Sequence, residues 1–213
     1  MKHITFYLDF ISPYAYLAFE QLPEALEGLS YSVAYKPILL GALLKQHGQT
    51  APAETPAKRA WTYRHVLWLG HALGIPLQMP ASHPYSPLAH LRLAMSTTND
   101  GEISRHVAET IFRDVWCGGE EATDPARLAA LASRLVSVRD GNGDEARASL
   151  RENAAEAIAL DAFGVPAFAL DGRVFWGLDS LPMLRAALQQ DDWFDSEVWA
   201  EADKRPSILQ AKG

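Results

Sequence analysis

The sequence predicts an α/β fold that is interrupted by a block of helices. Polar and apolar residues alternate over 3–10 and again over 31–38, which is the period of a β-strand. Residues 56–160 show almost no strand pattern, whereas the segments VPAFAL and RVFWG near the end have the composition of two further strands. The predicted order is therefore β–α–β, a helical block, and then β–β–α.

The first unit carries clear helix signals between its two strands. Ser12 suits a helix N-cap and Pro13 suits the first helical position, so a helix is predicted to begin at Ser12. Pro23 is expected to end or kink that helix. Because a β–α–β crossover is right-handed and joins neighbouring strands of one sheet, the strand over 31–38 is expected to lie parallel to the first.

The helical block and the last third of the chain follow from periodicity and caps. Five helices are predicted in the block: about 57–73, ending before Gly74 and Pro76; 87–97; 103–116; one that begins at Asp124-Pro125; and about 145–163. Asp171-Gly172 is typical of a tight hairpin, and a last helix is predicted over 180–188. The tail after 191 carries Trp193, Phe194 and Trp199, which favours packing against the body. The order predicts a thioredoxin-like domain over 1–56 and 161–213, with an inserted all-helical domain over 57–160.

Composition excludes several classes of partner and cofactor. The 213 residues are 48% hydrophobic and 21% charged, which is typical of a soluble globular protein. The net charge of −7 favours neither a nucleic-acid nor a membrane partner, and no apolar run approaches the roughly 18 residues that span a bilayer. Cys117 is the only cysteine, so no intrachain disulfide or Cys-x-x-Cys motif exists, and the seven histidines lack metal-ligand spacing. With no signal peptide at the start, the cytoplasm is expected.

The segment 9–14 is the first candidate for chemistry. A helix N-terminus presents unpaired N–H groups and partial positive charge, which stabilise an anion such as a thiolate. The hydroxyl of Ser12 can donate to the same anion. The alternative is that Ser12 is only a helix cap.

Two further candidates lie near the end of the chain. Pro166 follows a helix and opens a strand, a position suited to a cis peptide bond, and Val165 would then expose its backbone to a ligand. The alternative is a trans proline in an edge strand. Asp179 or Ser180 can cap the last helix, and an acid there can also hold an ammonium group.

Taken together, these segments resemble the 2-hydroxychromene-2-carboxylate isomerases and the kappa-class glutathione transferases. Both groups share the architecture of the DsbA-type disulfide oxidoreductases. The resemblance rests on the order and spacing of FYLDFISPYAYLA, LGIPLQMP, HPYSPLAHLRLA, IFRDVWCGG and ENAAEAIALDAFGVPAFALDGRVFWGLDSL. It implies a DsbA/kappa-type fold, glutathione as the cofactor and a homodimer.

The resemblance also implies a role for individual residues. Ser12 would hydrogen-bond the glutathione sulfur, and the backbone of Val165, before Pro166, would pair with the cysteinyl part. Asp179, followed by Ser180, would hold the γ-glutamyl ammonium group. Two more residues are implied on the other side of the site: Lys58 for the glycine carboxylate, and Gln49 where kappa enzymes use asparagine.

Three positions depart from the pattern of these families. Ser180 stands where an arginine often follows the acid, and Ala167 stands where a threonine often follows the proline. Residues 65–68, His-Val-Leu-Trp, replace a frequent Asp-Leu-x-Arg stretch.

The resulting expectation is a glutathione-dependent isomerase that acts on an intermediate of aromatic catabolism. The thiolate would add reversibly to a conjugated system, allow rotation about the former double bond, and leave again. Tyr14, Trp61, Trp68 and Tyr85 are the expected substrate pocket for this small molecule. A kappa-like glutathione transferase and a non-catalytic binding protein with a thioredoxin fold remain the alternatives.

Overall fold

The computed structural model describes residues 1–202, 204 and 205 of the chain. The strands are β1 (Lys2–Leu8), β2 (Tyr31–Pro37), β3 (Ala167–Leu170) and β4 (Arg173–Trp176). The helices are α1 (Pro13–Ala25), α2 (Leu40–Gln46), α3 (Pro56–Ala72), α4 (Leu88–Ser96), α5 (Arg105–Cys117), α6 (Pro125–Ser133), α7 (Asp144–Ala159), α8 (Leu181–Leu188) and α9 (Glu197–Ala200).

One mixed sheet organises the fold, with the strand order β2-β1-β3-β4. β1 and β2 are parallel, as predicted, and β3 pairs antiparallel with both β1 and β4. The β3–β4 hairpin turns through Asp171 and Gly172, whose φ angles of 51° and 77° match a two-residue turn with both central residues left-handed. The element order inferred from the sequence is therefore confirmed.

Helices cover both faces of the sheet, and β3, between β1 and β4, is buried along its whole length. Ile4, Phe6 and Leu8 of β1 join a core that continues into the helical block through Phe112 and Trp116 of α5. The other face packs in a second cluster with α2 and α7, and it buries the ring of Tyr7, whose hydroxyl donates to Glu156 at 2.7 Å. The division of the chain at residues 57 and 160 stays a prediction.

Several boundaries differ from the predicted ones for identifiable reasons. Pro23 does not end α1, which runs to Ala25, because a proline in the last turn removes only one intrahelical hydrogen bond. α2 was not predicted, since its start at Leu40 lacks a side-chain cap and it has only seven residues. α7 ends at Ala159 rather than near 163, and a positive φ of 59° at Asp161 marks the turn towards β3.

The tail packs against the body, as predicted. Phe194 is only 5% exposed and lies edge-on against Phe175 and Trp199. Residues 203 and 206–213 of the predicted domain lie outside the described residues. Over the described part of the chain, no helix combines the length and the apolar character needed to cross a membrane.

Candidate active site

Ser12 occupies the turn between β1 and α1 and makes two contacts with its side chain. Its Oγ accepts the N–H of Ala15 at 3.2 Å, which is the predicted capping bond. The same hydroxyl lies 3.5 Å from the carbonyl oxygen of Val165, a long distance for an O–H donor. The cap uses a lone pair and leaves the proton to this long contact, so capping a helix and donating to a ligand are compatible roles.

Three side chains of the helical block hold the backbone just before Ser12. The carbonyl of Phe10 accepts hydrogen bonds from Tyr85 Oη at 3.1 Å and from Trp116 Nε1 at 3.0 Å. The carbonyl of Ile11 bonds to His83 Nε2 at 2.9 Å. The turn is therefore fixed by groups more than 70 residues away along the chain.

The tautomer of His83 follows from its partners. Burial lowers its pKa, although the bond to Ile11 opposes this, so the ring is neutral and has a single N–H. Nε2 must carry that proton, because its partner is a carbonyl. The hydroxyl of Tyr63 lies 2.8 Å from Nδ1 and 2.6 Å from the backbone carbonyl oxygen of His83, so these two acceptors share its one proton.

Asp9 is a completely buried acid beneath the same turn. Its Oδ2 accepts the N–H of Leu40 at 2.8 Å and its Oδ1 accepts the N–H of Ile11 at 3.3 Å. Burial raises the pKa of this carboxyl to about 7, although backbone N–H donors oppose the rise. The side chain ties the turn to the start of α2.

The Val165–Pro166 peptide bond is cis and lies opposite Ser12. Just before it, a Cβ on Gly164 would fall 2.8 Å from Nε1 of Trp176, so glycine is needed for this close approach. The Trp176 ring is 50% exposed and packs on Phe163, with ring centroids 4.7 Å apart. Trp176 therefore forms one side of the surface next to the cis bond, a role that the sequence did not predict.

Asp179 and Ser180 have different orientations in the short turn before α8. Ser180 is buried, and its hydroxyl donates to the carbonyl of Gly177 at 2.8 Å. Asp179 is exposed, and its charge is the second cause, after burial, of the raised pKa of Tyr14. The carboxylate of Asp179 therefore lies on the same side of the molecule as the first turn of α1.

The four predicted pocket residues divide into two groups. Tyr14, Trp61 and Trp68 lie around His65 on the outer side of α3, where the two indole rings are 67% and 60% exposed. Tyr85 instead directs its hydroxyl inward to the Ser12 turn.

Gln49 and Lys58 are both exposed, the first after α2 and the second in the first turn of α3. Within the described residues, no hydrogen bond or ion pair links the side chain of either one to Ser12, Val165 or Asp179. Their roles stay predictions.

Residues 3–189 match the family model described as a DSBA-like thioredoxin domain. The chain belongs to this family. It is 28% identical over 196 residues to the 2-hydroxychromene-2-carboxylate isomerase of Pseudomonas putida, covering 87% of this chain and 93% of the relative. It is 24% identical over 210 residues to human glutathione S-transferase kappa 1, covering 90% and 92%.

A solved structure of a 2-hydroxychromene-2-carboxylate isomerase superposes with a TM-score of 0.69 at 20% identity, covering 96% of this chain and all of the other. The DsbA-like thioredoxin fold and the resemblance seen in the sequence are thus confirmed.

Proposed function

We propose that this member of the family is a glutathione-dependent isomerase of the 2-hydroxychromene-2-carboxylate isomerase type, acting on a planar intermediate of aromatic catabolism. One observation carries the proposal: the hydroxyl of Ser12 caps α1 with its lone pair, and its proton makes only a long 3.5 Å contact with the carbonyl of Val165, next to the cis Val165–Pro166 bond. Relatives named as isomerases, which match most of the chain, support this reaction type.

The groups around Ser12 fit glutathione, which carries one thiol, one ammonium group, two carboxylates and two peptide bonds. The N–H of Tyr14 has no acceptor among the described residues and lies beside the Ser12 hydroxyl, a pair of donors suited to an anionic sulfur. The backbone of Val165 precedes β3, so it is available for strand-like pairing with a peptide. Asp179 forms no ion pair with any described residue and suits an ammonium group.

The chain's own contribution is to bind, orient and exclude water. When bound, glutathione would supply a thiolate able to add reversibly to a conjugated double bond. The Ser12 hydroxyl and the positive end of α1 favour the anionic form of that sulfur over the neutral thiol. Two aromatic walls, Trp61 with Trp68 and Phe163 with Trp176, provide apolar surface for a flat ring system.

The decisive experiment compares Ser12→Ala with Ser104→Ala. Ser104 caps α5 with the same geometry, its Oγ accepting the N–H of Val107 at 3.2 Å, but it lies outside the site. Each variant is expected to lose about 1 kcal/mol of unfolding free energy. Turnover is expected to fall about ten- to a thousandfold in Ser12→Ala only, as for a lost donor to a developing anion. Equal turnover in the two variants removes Ser12 from the mechanism.

The fate of glutathione separates this function from the transferase alternative. The kappa-class relatives match the chain with similar coverage, which favours transfer as the second candidate. An isomerase leaves glutathione unconsumed, whereas a transferase consumes one equivalent per product. Thermal unfolding with millimolar glutathione tests binding itself, since ligand at about 100 times its Kd adds roughly 2.7 kcal/mol. No stabilisation would favour a non-catalytic protein. Sedimentation velocity tests the homodimer that the resemblance implies.

A further inference from the structure

A tyrosine–histidine pair lies beside the Ser12 turn, and its two side chains have no part in the function proposed above. Tyr14, in the first turn of α1, places its Oη 2.9 Å from Nδ1 of His65 in α3. The two ring centroids are 5.8 Å apart. The contact joins the helix that begins at Ser12 to the helix that carries the exposed tryptophans.

The geometry of this contact allows the phenol of Tyr14 to donate to Nδ1 of His65. In that arrangement a neutral imidazole carries its proton on Nε2. Nε2 has no hydrogen-bond partner among the residues that the structure describes.

The imidazole is also part of an aromatic surface. Its ring is nearly parallel to those of Trp61 and Trp68, with interplanar angles of 14° and 10° and centroid distances of 5.9 and 6.4 Å. The spacing i, i+4, i+7 places the three side chains along one side of α3. The imidazole thus stands between two mostly exposed indole rings in one flat aromatic surface.

Helix stacking alone does not account for this arrangement. Side-chain pairs at these spacings stabilise a helix by a few tenths of a kcal/mol and need no polar partner. Here a half-buried phenol from another helix fixes the imidazole. A phenol that donates to Nδ1 leaves the N–H of Nε2 available to an acceptor on a ligand.

We propose that His65 is a catalytic residue that donates a hydrogen bond from Nε2 to a carbonyl or carboxylate oxygen of the substrate, with Tyr14 as the positioning residue that fixes its tautomer. The inference rests on the proposed function, because addition of a nucleophile to a conjugated double bond moves negative charge to the conjugated oxygen. A neutral donor stabilises that charge and keeps its own proton. No bond to His65 forms or breaks.

The first experiment tests the pair in the full chain without ligand. Long-range ¹H–¹⁵N spectra report which ring nitrogen carries the proton, and His65→Gln assigns the signals. We expect His65 protonated on Nε2, and we expect Tyr14→Phe to shift the Nδ1 resonance because its donor is lost. A proton on Nδ1, or an Nδ1 resonance unchanged in Tyr14→Phe, overturns the pair.

The second experiment tests the donor with stable probes and no glutathione. Tryptophan fluorescence follows the binding of 1-hydroxy-2-naphthoate, which has a carboxylate, and of 1-naphthol, which has none. His65→Phe keeps the ring but loses the donor, and it is expected to weaken naphthoate binding about tenfold with little effect on naphthol. His65→Gln keeps a donor and should stay within about threefold of the wild type. His71→Gln, on the exposed last turn of α3, is the matched control.

The outcomes separate this inference from the proposed function. If the wild type does not bind naphthoate, or if His65→Phe binds it as tightly as the wild type, His65 is not the donor, whatever glutathione does. If binding changes as expected but glutathione neither binds nor reacts, the proposed function fails and the donor role stands. With an active isomerase, His65→Phe should also lower kcat about a hundredfold and leave the KM for glutathione unchanged.

Discussion

Replacing Asp9 by asparagine should change how stability depends on pH. The carboxylate is fully buried and accepts the N–H groups of Leu40 and Ile11, while the backbone carbonyl of Asp9 accepts the N–H of Ser12 at 3.1 Å. Asparagine has nearly the same shape and is never charged. Its carbonyl oxygen can still accept the N–H of Leu40. Its NH2 group is a donor and cannot accept the N–H of Ile11, so that hydrogen bond is lost.

The direction and the magnitude of this pH dependence follow from the two pKa values of Asp9, one in the folded chain and one in the unfolded chain. Its pKa is about 7 in the fold, against an ordinary value of 3.8, so between these values the folded chain binds a proton that the unfolded chain has lost. This contribution to stability is fully present below pH 3.8 and is lost as the pH rises through 7. A difference of about three between the pKa values, at about 1.4 kcal/mol each, gives about 4 kcal/mol. The hydrogen bond lost in Asp9→Asn costs about 1 kcal/mol at every pH.

Urea unfolding of the wild type and of Asp9→Asn between pH 4 and pH 8.5 measures the effect. The variant is expected to be about 1 kcal/mol less stable at pH 4 and about 3 kcal/mol more stable at pH 8.5. The exposed Asp192, changed to asparagine, is the control and should show no such crossing. If the difference between Asp9→Asn and the wild type is constant across the range, the carboxyl does not titrate as a buried group, and the reasoning fails.

Three further predictions concern stability. Burial lowers the pKa of His90 from 6.5 to about 4, so the stability that this residue contributes above pH 6.5 is lost as the pH falls towards 4. In His90→Phe, the free energy of unfolding in urea should therefore change less between pH 6.5 and pH 4, by up to about 3 kcal/mol. Asn153→Ala should cost about 2 kcal/mol in urea unfolding, because the amide of this buried residue donates to the carbonyls of Pro37 and Gly101. Phe194→Ala should lower the free energy of unfolding by about 3 kcal/mol and lower Tm in calorimetry, since this buried ring packs the C-terminal tail against Phe175 of β4.

Local signals were sufficient for most of the fold. Alternation identified β1 and β2, composition and the Asp171-Gly172 turn identified β3 and β4, and cap residues such as Ser12 and Asp124 marked helix starts that the structure places at the next residue. These signals act within a few residues, so a single sequence shows them. α2 was missed because its stability comes from burial of Leu43 against the second core cluster rather than from caps.

The site was predictable only where a backbone feature marks it. Ser12 and the Val165–Pro166 bond stand at element boundaries, and the sequence shows both. His83 and Trp116 act across the interior, through hydrogen bonds to carbonyls 72 and 106 residues away, and no local pattern indicates such partners. His65 was considered only as a metal ligand and as part of the 65–68 stretch that departs from the related families, although its spacing from Trp61 and Trp68 was visible and could have suggested the shared helix face.

The helical block does more than provide a wall for the site. A helix one turn longer at its start would pair the N–H of Tyr14 with the carbonyl of Phe10, and the N–H of Ala15 with the carbonyl of Ile11. Side chains of the block hydrogen-bond both carbonyls, Ser12 is extended and Pro13 has no N–H, so α1 begins at Pro13 and the Oγ of Ser12 caps the N–H of Ala15.

The N–H of Tyr14 is then left without an acceptor among the described residues, next to the Ser12 hydroxyl, whose proton makes only a 3.5 Å contact with the carbonyl of Val165. The Ser12 cap and Pro13 leave these two donors at the start of α1, and Tyr85 and Trp116 hold the carbonyl of Phe10 that precedes them. If the donor of Tyr85 or Trp116 is removed, the carbonyl of Phe10 loses one of its two hydrogen bonds. Any effect of that loss on an anion bound at Ser12 would pass through the backbone alone.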